Sequence, residues 1–207
     1  MGGCASGSSG AGRADPVPAG DAFERVAVRS RAEWRDWLGA NHRQTRSIWL
    51  VRYKAGHPDH VTYDAAVEEA LCFGWVDSLP RKLDAERSML LMSPRKNGSA
   101  WSALNKRRVA AMEAAGLMAP AGSAAVEAAK ANGMWTFLDD VERLEVPDDL
   151  AAAFGARPGS RERWDAFPPS ARRGILEWIK QAKRADTRAR RIERTAVAAA
   201  RGERAIG

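Results

Sequence analysis

The sequence predicts an α+β protein, with a small antiparallel sheet and helices in the N-terminal part, followed by an all-helical C-terminal part. Three observations predict it. Short runs rich in branched and aromatic residues occur only before about residue 94. Capped segments with apolar residues at i, i+3 and i+4 alternate with those runs. From Ser99 onward nearly every segment reads as helix. The expected organisation is a disordered tail over 1–22, an α+β domain over 23–140 and a helical module over 141–207 ending in a basic helix pair.

Taken in order, residues 1–22 are rich in Gly, Ala, Ser and Pro and offer little to bury. The start Met1-Gly2-Gly3-Cys4 matches an acylation pattern, read as a chance match in a composition that looks bacterial. Ser30 with Glu33 forms a capping box, and Trp34, Trp37 and Leu38 give that helix one apolar stripe. Ser47–Lys54 reads as a strand. Thr62 starts a second helix with Tyr63, Val67, Ala70 and Leu71 on its face and Gly74 at its end. Trp75–Ser78 and Arg87–Ser93 read as two further strands, with a turn near Pro80 and a stop at Pro94.

In the second half, Ser99 is expected to cap a helix carrying Trp101, Leu104, Val109 and Met112, ended by Gly116. A short helix follows over 124–132, ended by Gly133. Pro147 suits the first position of another, with Asp148 and Asp149 where the dipole favours acid. Residues 155–160 read as a linker. Ser160 opens a short helix with Trp164 and Phe167, stopped by Pro168-Pro169. The last two helices bury Ile175, Leu176, Trp178 and Ile179, then Ile192, Ala196 and Val197, with a break at Arg184–Asp186.

Composition excludes several function classes. No apolar run reaches the roughly 20 residues that span a bilayer, and no stretch reads as a signal peptide. With only two cysteines, Cys4 and Cys72, a disulfide framework is not expected and a reducing, cytoplasmic setting fits. Three histidines and no CxxC leave little for a metal site. His57-x-x-His60 beside Asp59 reads as a surface loop, and no metal or cofactor is expected. Cys72 reads as a packed thiol. Asp64, Glu68 and Glu69 suit an exposed helix face, and Asp139-Asp140 suits a turn. The net charge of +7 sits at one end: residues 171–207 hold eleven Lys/Arg against four Asp/Glu, and the rest balances at 22 of each sign.

The most informative residues run from Cys72 to Ser78 and from Ser93 to Asn105. Trp75, Asp77, Arg95, Ser99, Trp101, Ser102 and Asn105 are the candidate ligand-binding set. Steps of three place Ser99, Ser102 and Asn105 on one side of a helix start, a place that suits an anion. Arg95 adds a planar fork for a carboxylate or phosphate. The structural alternative pairs Asp77 with Arg95, uses the serines as caps and buries both indoles. A second possibility is nucleic-acid binding through Arg188, Arg190, Arg191 and Arg194 on the last helix. A third is an enzyme with Asp77 as general base and Arg95 holding an anionic substrate. No Gly-x-Ser-x-Gly elbow, Walker loop or GxGxxG is present, so the reading leans away from an enzyme.

The same residues carry a family resemblance. Leu71-Cys-Phe-Gly-Trp-Val-Asp77, Ser93-Pro-Arg95, Ser99-Ala-Trp-Ser102 and Asn105 resemble the YdeI/OmpD-associated (OmdA-like) bacterial proteins. So do Pro120-Ala-Gly122, Ala129-Lys130, Gly133-Met-Trp135 and the ending Ala182-Lys-Arg-Ala-Asp-Thr-Arg-Ala-Arg-Arg-Ile192. The match runs over about residues 26–202. From about residue 140 onward, the chain resembles the module described as bacteriocin-protection. Ser88 and Met92 depart from the pattern, which favours aromatics there, and the tail is an addition. The resemblance implies a role in bacterial envelope stress, such as tolerance of cationic antimicrobial peptides; the residues themselves add the expectation of an accessory protein with a small anionic ligand or a protein partner in the Trp75/Arg95/Trp101 pocket. It supplies no catalytic residue.

Overall fold

The computed structural model describes residues 23–206, so the expected tail over 1–22 and Cys4 lie outside the described residues. The fold class is α+β, as expected. A four-stranded sheet takes the order β1-β2-β4-β3, from β1 (Glu24–Ala27), β2 (Ile48–Tyr53), β3 (Trp75–Lys82) and β4 (Arg87–Pro94). Strands β2, β4 and β3 pair antiparallel, as the sequence suggested. The sheet is mixed, because β1 adds to β2 in parallel. That strand has four residues, of which Val26 alone is buried, too short for alternation to reveal it. The turn of the hairpin lies beyond Lys82. Pro80 stays within β3, where the register shifts between Asp77 and Pro80, and an edge strand tolerates both.

Helices α1 (Arg31–Asn41) and α2 (Tyr63–Cys72) connect the first three strands. Ser30 accepts from the N–H of Glu33, and Thr62 accepts from that of Ala65, as N-caps do. Trp34 and Leu38 are fully buried and Trp37 half-buried, with the two α1 indoles stacked at 5.3 Å. Gly74 closes α2 with φ +74, and a side chain there would meet the carbonyl of Ala121 at 3.1 Å.

Helix α3 spans Ala103–Ala114. Its cap is Ser102, not Ser99: the Ser102 hydroxyl accepts from the N–H of Asn105. Trp101 therefore precedes the helix, where an extended chain lets its indole drop into the core. Leu104 points outward, 47% exposed. Helix α4 (Pro120–Ala131) begins earlier than expected, with Pro120 in its first turn. It crosses the end of α2 so closely that a Cβ on Gly122 would lie 2.2 Å from the Cys72 carbonyl oxygen.

The remaining helices are α5 (Asp139–Glu142), α6 (Asp148–Gly155), α7 (Ser160–Asp165), α8 (Pro169–Lys180) and α9 (Ala185–Ala200). Asp139-Asp140 thus belongs to one helical turn. Pro147 caps α6 from outside, and Pro168-Pro169, expected as a stop, opens α8 with Pro169 in its first turn. The expected linker over 155–160 is a tight turn. The buried Ser160 hydroxyl bonds the carbonyls of Phe154 and Arg157, so Trp164 returns onto Phe154.

Two main apolar clusters follow. One joins the sheet to α1–α4 and the other gathers α5–α9. A third and smaller cluster, Trp49, Val51 and Met89, lies on the other face of the sheet. Helix α9 packs against α6, α7 and α8. Of the α2 acids, Asp64 is exposed as expected, but Glu69 is only 2% exposed, because Arg31 and Arg35 of α1 lie across it at 2.6 Å each.

Candidate functional site

The two main clusters meet along a seam fastened by polar groups. Glu142 of α5 accepts from the N–H of Ala103 at the start of α3 and from both Nε and Nη2 of Arg173 on α8. Arg173 and the Ala103 N–H hold its carboxyl below the usual range. Asp139 pairs with Lys106, and Asp140 pairs with Lys180 at 2.5 Å. The N–H of Trp101 donates to Met134 O at 3.2 Å.

Beside this seam opens a hollow of about 650 Å³. Its near wall is Val76 of β3 and the loop between β4 and α3, with Arg95, Gly98, Ser99 and Ala100. Met134 and Phe137 form its floor, and Glu177, Lys180, Gln181, Ala182 and Lys183 form the far wall. The near wall is pinned in place. Arg95 N–H donates to Gly74 O at 2.9 Å, Ser99 N–H to Lys96 O at 2.9 Å, and Asn132 Nδ2 to Asn97 O at 2.8 Å.

The guanidinium of Arg95 lies 3.6 Å from the ring centre of Trp101, a stacked cation–π arrangement. Trp101 is itself buried and tilted on Trp135 at 5.1 Å. Arg95 Nη2 donates to Ala100 O at 2.6 Å. Its Nε and Nη1 are buried with no hydrogen-bond partner. Burial pulls its pKa down to about 10, with the Asp77 charge acting the other way. Arg95 is thus a cation in a dry setting with unmet donors.

The candidate residues divide. Arg95 and Ser99 line the hollow, with Trp101 beneath Arg95. Ser102 is the α3 cap. Trp75 is fully buried in the first cluster, edge-on to Trp37, with its Nε1 donating to His42 O. Asp77 accepts from Tyr63 Oη at 2.5 Å, and burial, together with that carboxylate, pushes the phenol up to about 12. Asn105 accepts from Arg108, which pairs with Asp64. Met134, Phe137 and Lys180–Lys183, which complete the hollow, were not singled out as site residues. No local pattern could show them, since they arrive from the turn after α4 and from the end of α8, far along the chain from Arg95.

On the last helix, Arg188 is held by both oxygens of Asp149, and Arg190 lies 3.9 Å from Asp186. Arg191 donates to Trp178 O, and Arg191 and Arg194 both lie over the Trp178 ring. In the histidine loop, His57 stacks on Tyr53 at 3.8 Å and His60 bonds Tyr53 O. Among the described residues no group of three or more metal-ligating side chains occurs, and no helix is long and apolar enough to cross a membrane.

Two family models match. Residues 26–125 match a domain of unknown function, DUF8412. No curated protein and no solved structure matches the chain. Arg95 and Ser99 fall within that first match, and Lys180–Lys183 fall within the second, so the hollow lies where the two matched segments face each other. The second match covers residues 143–202, and it gives this helical part its family likeness: bacteriocin-protection, YdeI or OmpD-associated.

Proposed function

We propose that the protein is an accessory binding protein of bacterial envelope-stress defence, and that its ligand is a small anion held in the hollow beside Arg95. The family match of the helical part supports the first half of this reading. The second half is carried by one observation: the buried Arg95 guanidinium has two nitrogens without partners, while nearby carboxylates are engaged elsewhere. Asp77 is taken by Tyr63, Glu177 by Arg173 and Gln181, and Asp140 by Lys180. A dry cation is stabilised by an anion, and here the protein leaves that anion to come from outside. Lys183 at the exposed rim adds attraction.

The nucleic-acid reading has less support, since Arg188 and Arg191 are spent on Asp149 and Trp178. The enzyme reading is also weaker, because Asp77 does not line the hollow and its carboxylate serves Tyr63.

Calorimetric titration of the full chain with small carboxylates and phosphates tests the proposal. At least one anion is expected to bind, and Arg95→Met is expected to weaken it tenfold or more. Equal binding by the variant would remove Arg95 from the site. In the host, loss of the gene is expected to sensitise cells to cationic peptides, with rescue by the parent chain and not by Arg95→Met.

A further inference from the structure

We infer that the hollow takes a small organic monoanion with an apolar body, a carboxylate of aromatic or short aliphatic type, in preference to an inorganic oxyanion. The inference rests on the site reading above and deepens it.

The size of the hollow is the first argument. About 650 Å³ falls within the range of small-molecule sites, far more than one oxyanion fills. The walls are the second. Val76, Ala100, Met134, Phe137 and Ala182 present carbon, between Arg95 and Ser99 on the near wall and the polar groups at the end of α8 on the far one. An inorganic anion at Arg95 would leave those walls wet, whereas an apolar body would cover them. The charge is the third argument. Lys180 is neutralised by Asp140 and rests 4.9 Å from the Phe137 ring, Glu177 shares Arg173 with Glu142, and the exposed Lys183 offsets the carboxylate left over. Arg95 is therefore the cation of the near wall that has no carboxylate in direct contact, and a single carboxylate matches it. The stacking of Arg95 on Trp101 fixes the plane of the guanidinium, so the anion's orientation is set before it arrives.

The hollow also has walls from both apolar clusters, so a bound body would touch the β4–α3 loop and the end of α8 together. Binding should therefore raise the unfolding temperature of the whole chain, since the ligand holds only when both walls are in place.

The test compares benzoate, hexanoate, acetate and inorganic phosphate by calorimetry on the full chain, with benzamide as the uncharged partner of benzoate. Benzoate or hexanoate is expected to bind at least tenfold more tightly than acetate or phosphate, and benzamide at least tenfold more weakly than benzoate. Phe137→Leu should weaken the organic anion several-fold and leave phosphate unchanged. Ala182→Glu, which places a carboxylate at the hollow, should abolish binding of every anion while circular dichroism stays that of the parent. Phosphate binding as tightly as benzoate, indifferent to Phe137→Leu, overturns this inference and leaves the anion site standing. Binding of no anion, or binding indifferent to Arg95→Met, overturns the site itself.

Discussion

Replacing Arg95 by Met separates a guanidinium kept for a ligand from one kept for the fold. Burial pulls its pKa from the ordinary arginine value down to about 10. At about 1.4 kcal/mol per unit, that is roughly 3 kcal/mol against the cation in the fold. The orphaned Nε and Nη1 belong to the same penalty and are not added to it. Against it stand the bond to Ala100 O, about 1–3 kcal/mol, and the stacking on Trp101, about 0.5–2 kcal/mol. The two sides nearly cancel. Met keeps a flexible apolar chain on the Trp101 face and brings no charge to desolvate. Arg95→Met is therefore expected to unfold in urea within about 1 kcal/mol of the parent at neutral pH, a few degrees in Tm at most. The alkaline limb adds a sign. The folded pKa lies below the unfolded one, so the cost stands in full below about 10 and is relieved as pH climbs from there towards the ordinary arginine value. The parent should gain on the variant across that window. A loss above about 3 kcal/mol at neutral pH would refute the reasoning and make Arg95 a structural residue.

Glu142→Ala should cost about 2–3 kcal/mol in urea unfolding, from the lost cap on α3 and the lost bidentate pair with Arg173, the latter discounted for partial exposure. Its carboxyl is held below the ordinary 4.5, so the contribution is present above that value and fades as pH falls through the depressed one; a parent–variant gap as wide at pH 3 as at pH 7 would count against it. Glu69→Ala should cost about 1–3 kcal/mol, because Arg31 and Arg35 keep some solvent when their buried partner goes; thermal unfolding checks it, and an unchanged midpoint contradicts it. Gly122→Ala, driven into the Cys72 carbonyl, should lose at least about 2 kcal/mol, while Gly39→Ala, which meets nothing within 4 Å in α1, should gain about 0.5–1 kcal/mol. A reversed order would show that α4 does not cross α2 as described.

Local chemistry was legible and long-range chemistry was not. Ser30 and Thr62 announce their helices because a cap acts on an N–H three residues away. The α1 indoles announce a buried stripe by spacing alone. Strand β1 stayed hidden because its pairing with β2 comes through tertiary contact, and its four residues alternate too briefly. Glu69 looked like an exposed acid because the arginines that bury it lie on another helix. Ser99 and Ser102 are both plausible caps, and the choice falls to Ser102 because Trp101 must leave the helix to reach the core. For the site, sequence could nominate Arg95 and Trp101 but not that they stack. Nor could it show that Asp77 prefers Tyr63, since β3 meets the start of α2 only in three dimensions.

The two walls of the hollow differ in how they are held, and that difference fixes where a ligand would be felt. On the near wall, Arg95, Ser99 and Trp101 already donate their N–H groups, and the N–H of Ala103, two residues beyond Trp101, is taken by Glu142. On the far wall, Ala182 N–H donates to Ile179 O at 3.2 Å, and the chain then passes through exposed Lys183 and Arg184 before α9 begins. A preorganised wall loses little freedom when a ligand arrives, and an exposed one loses more. Hydrogen exchange with a bound organic anion should therefore slow chiefly over residues 181–184, with residues 95–101 changing little. Protection concentrated on 95–101 instead would mean that this loop opens in the unliganded protein, and that the stack of Arg95 on Trp101 is made by the ligand rather than waiting for it.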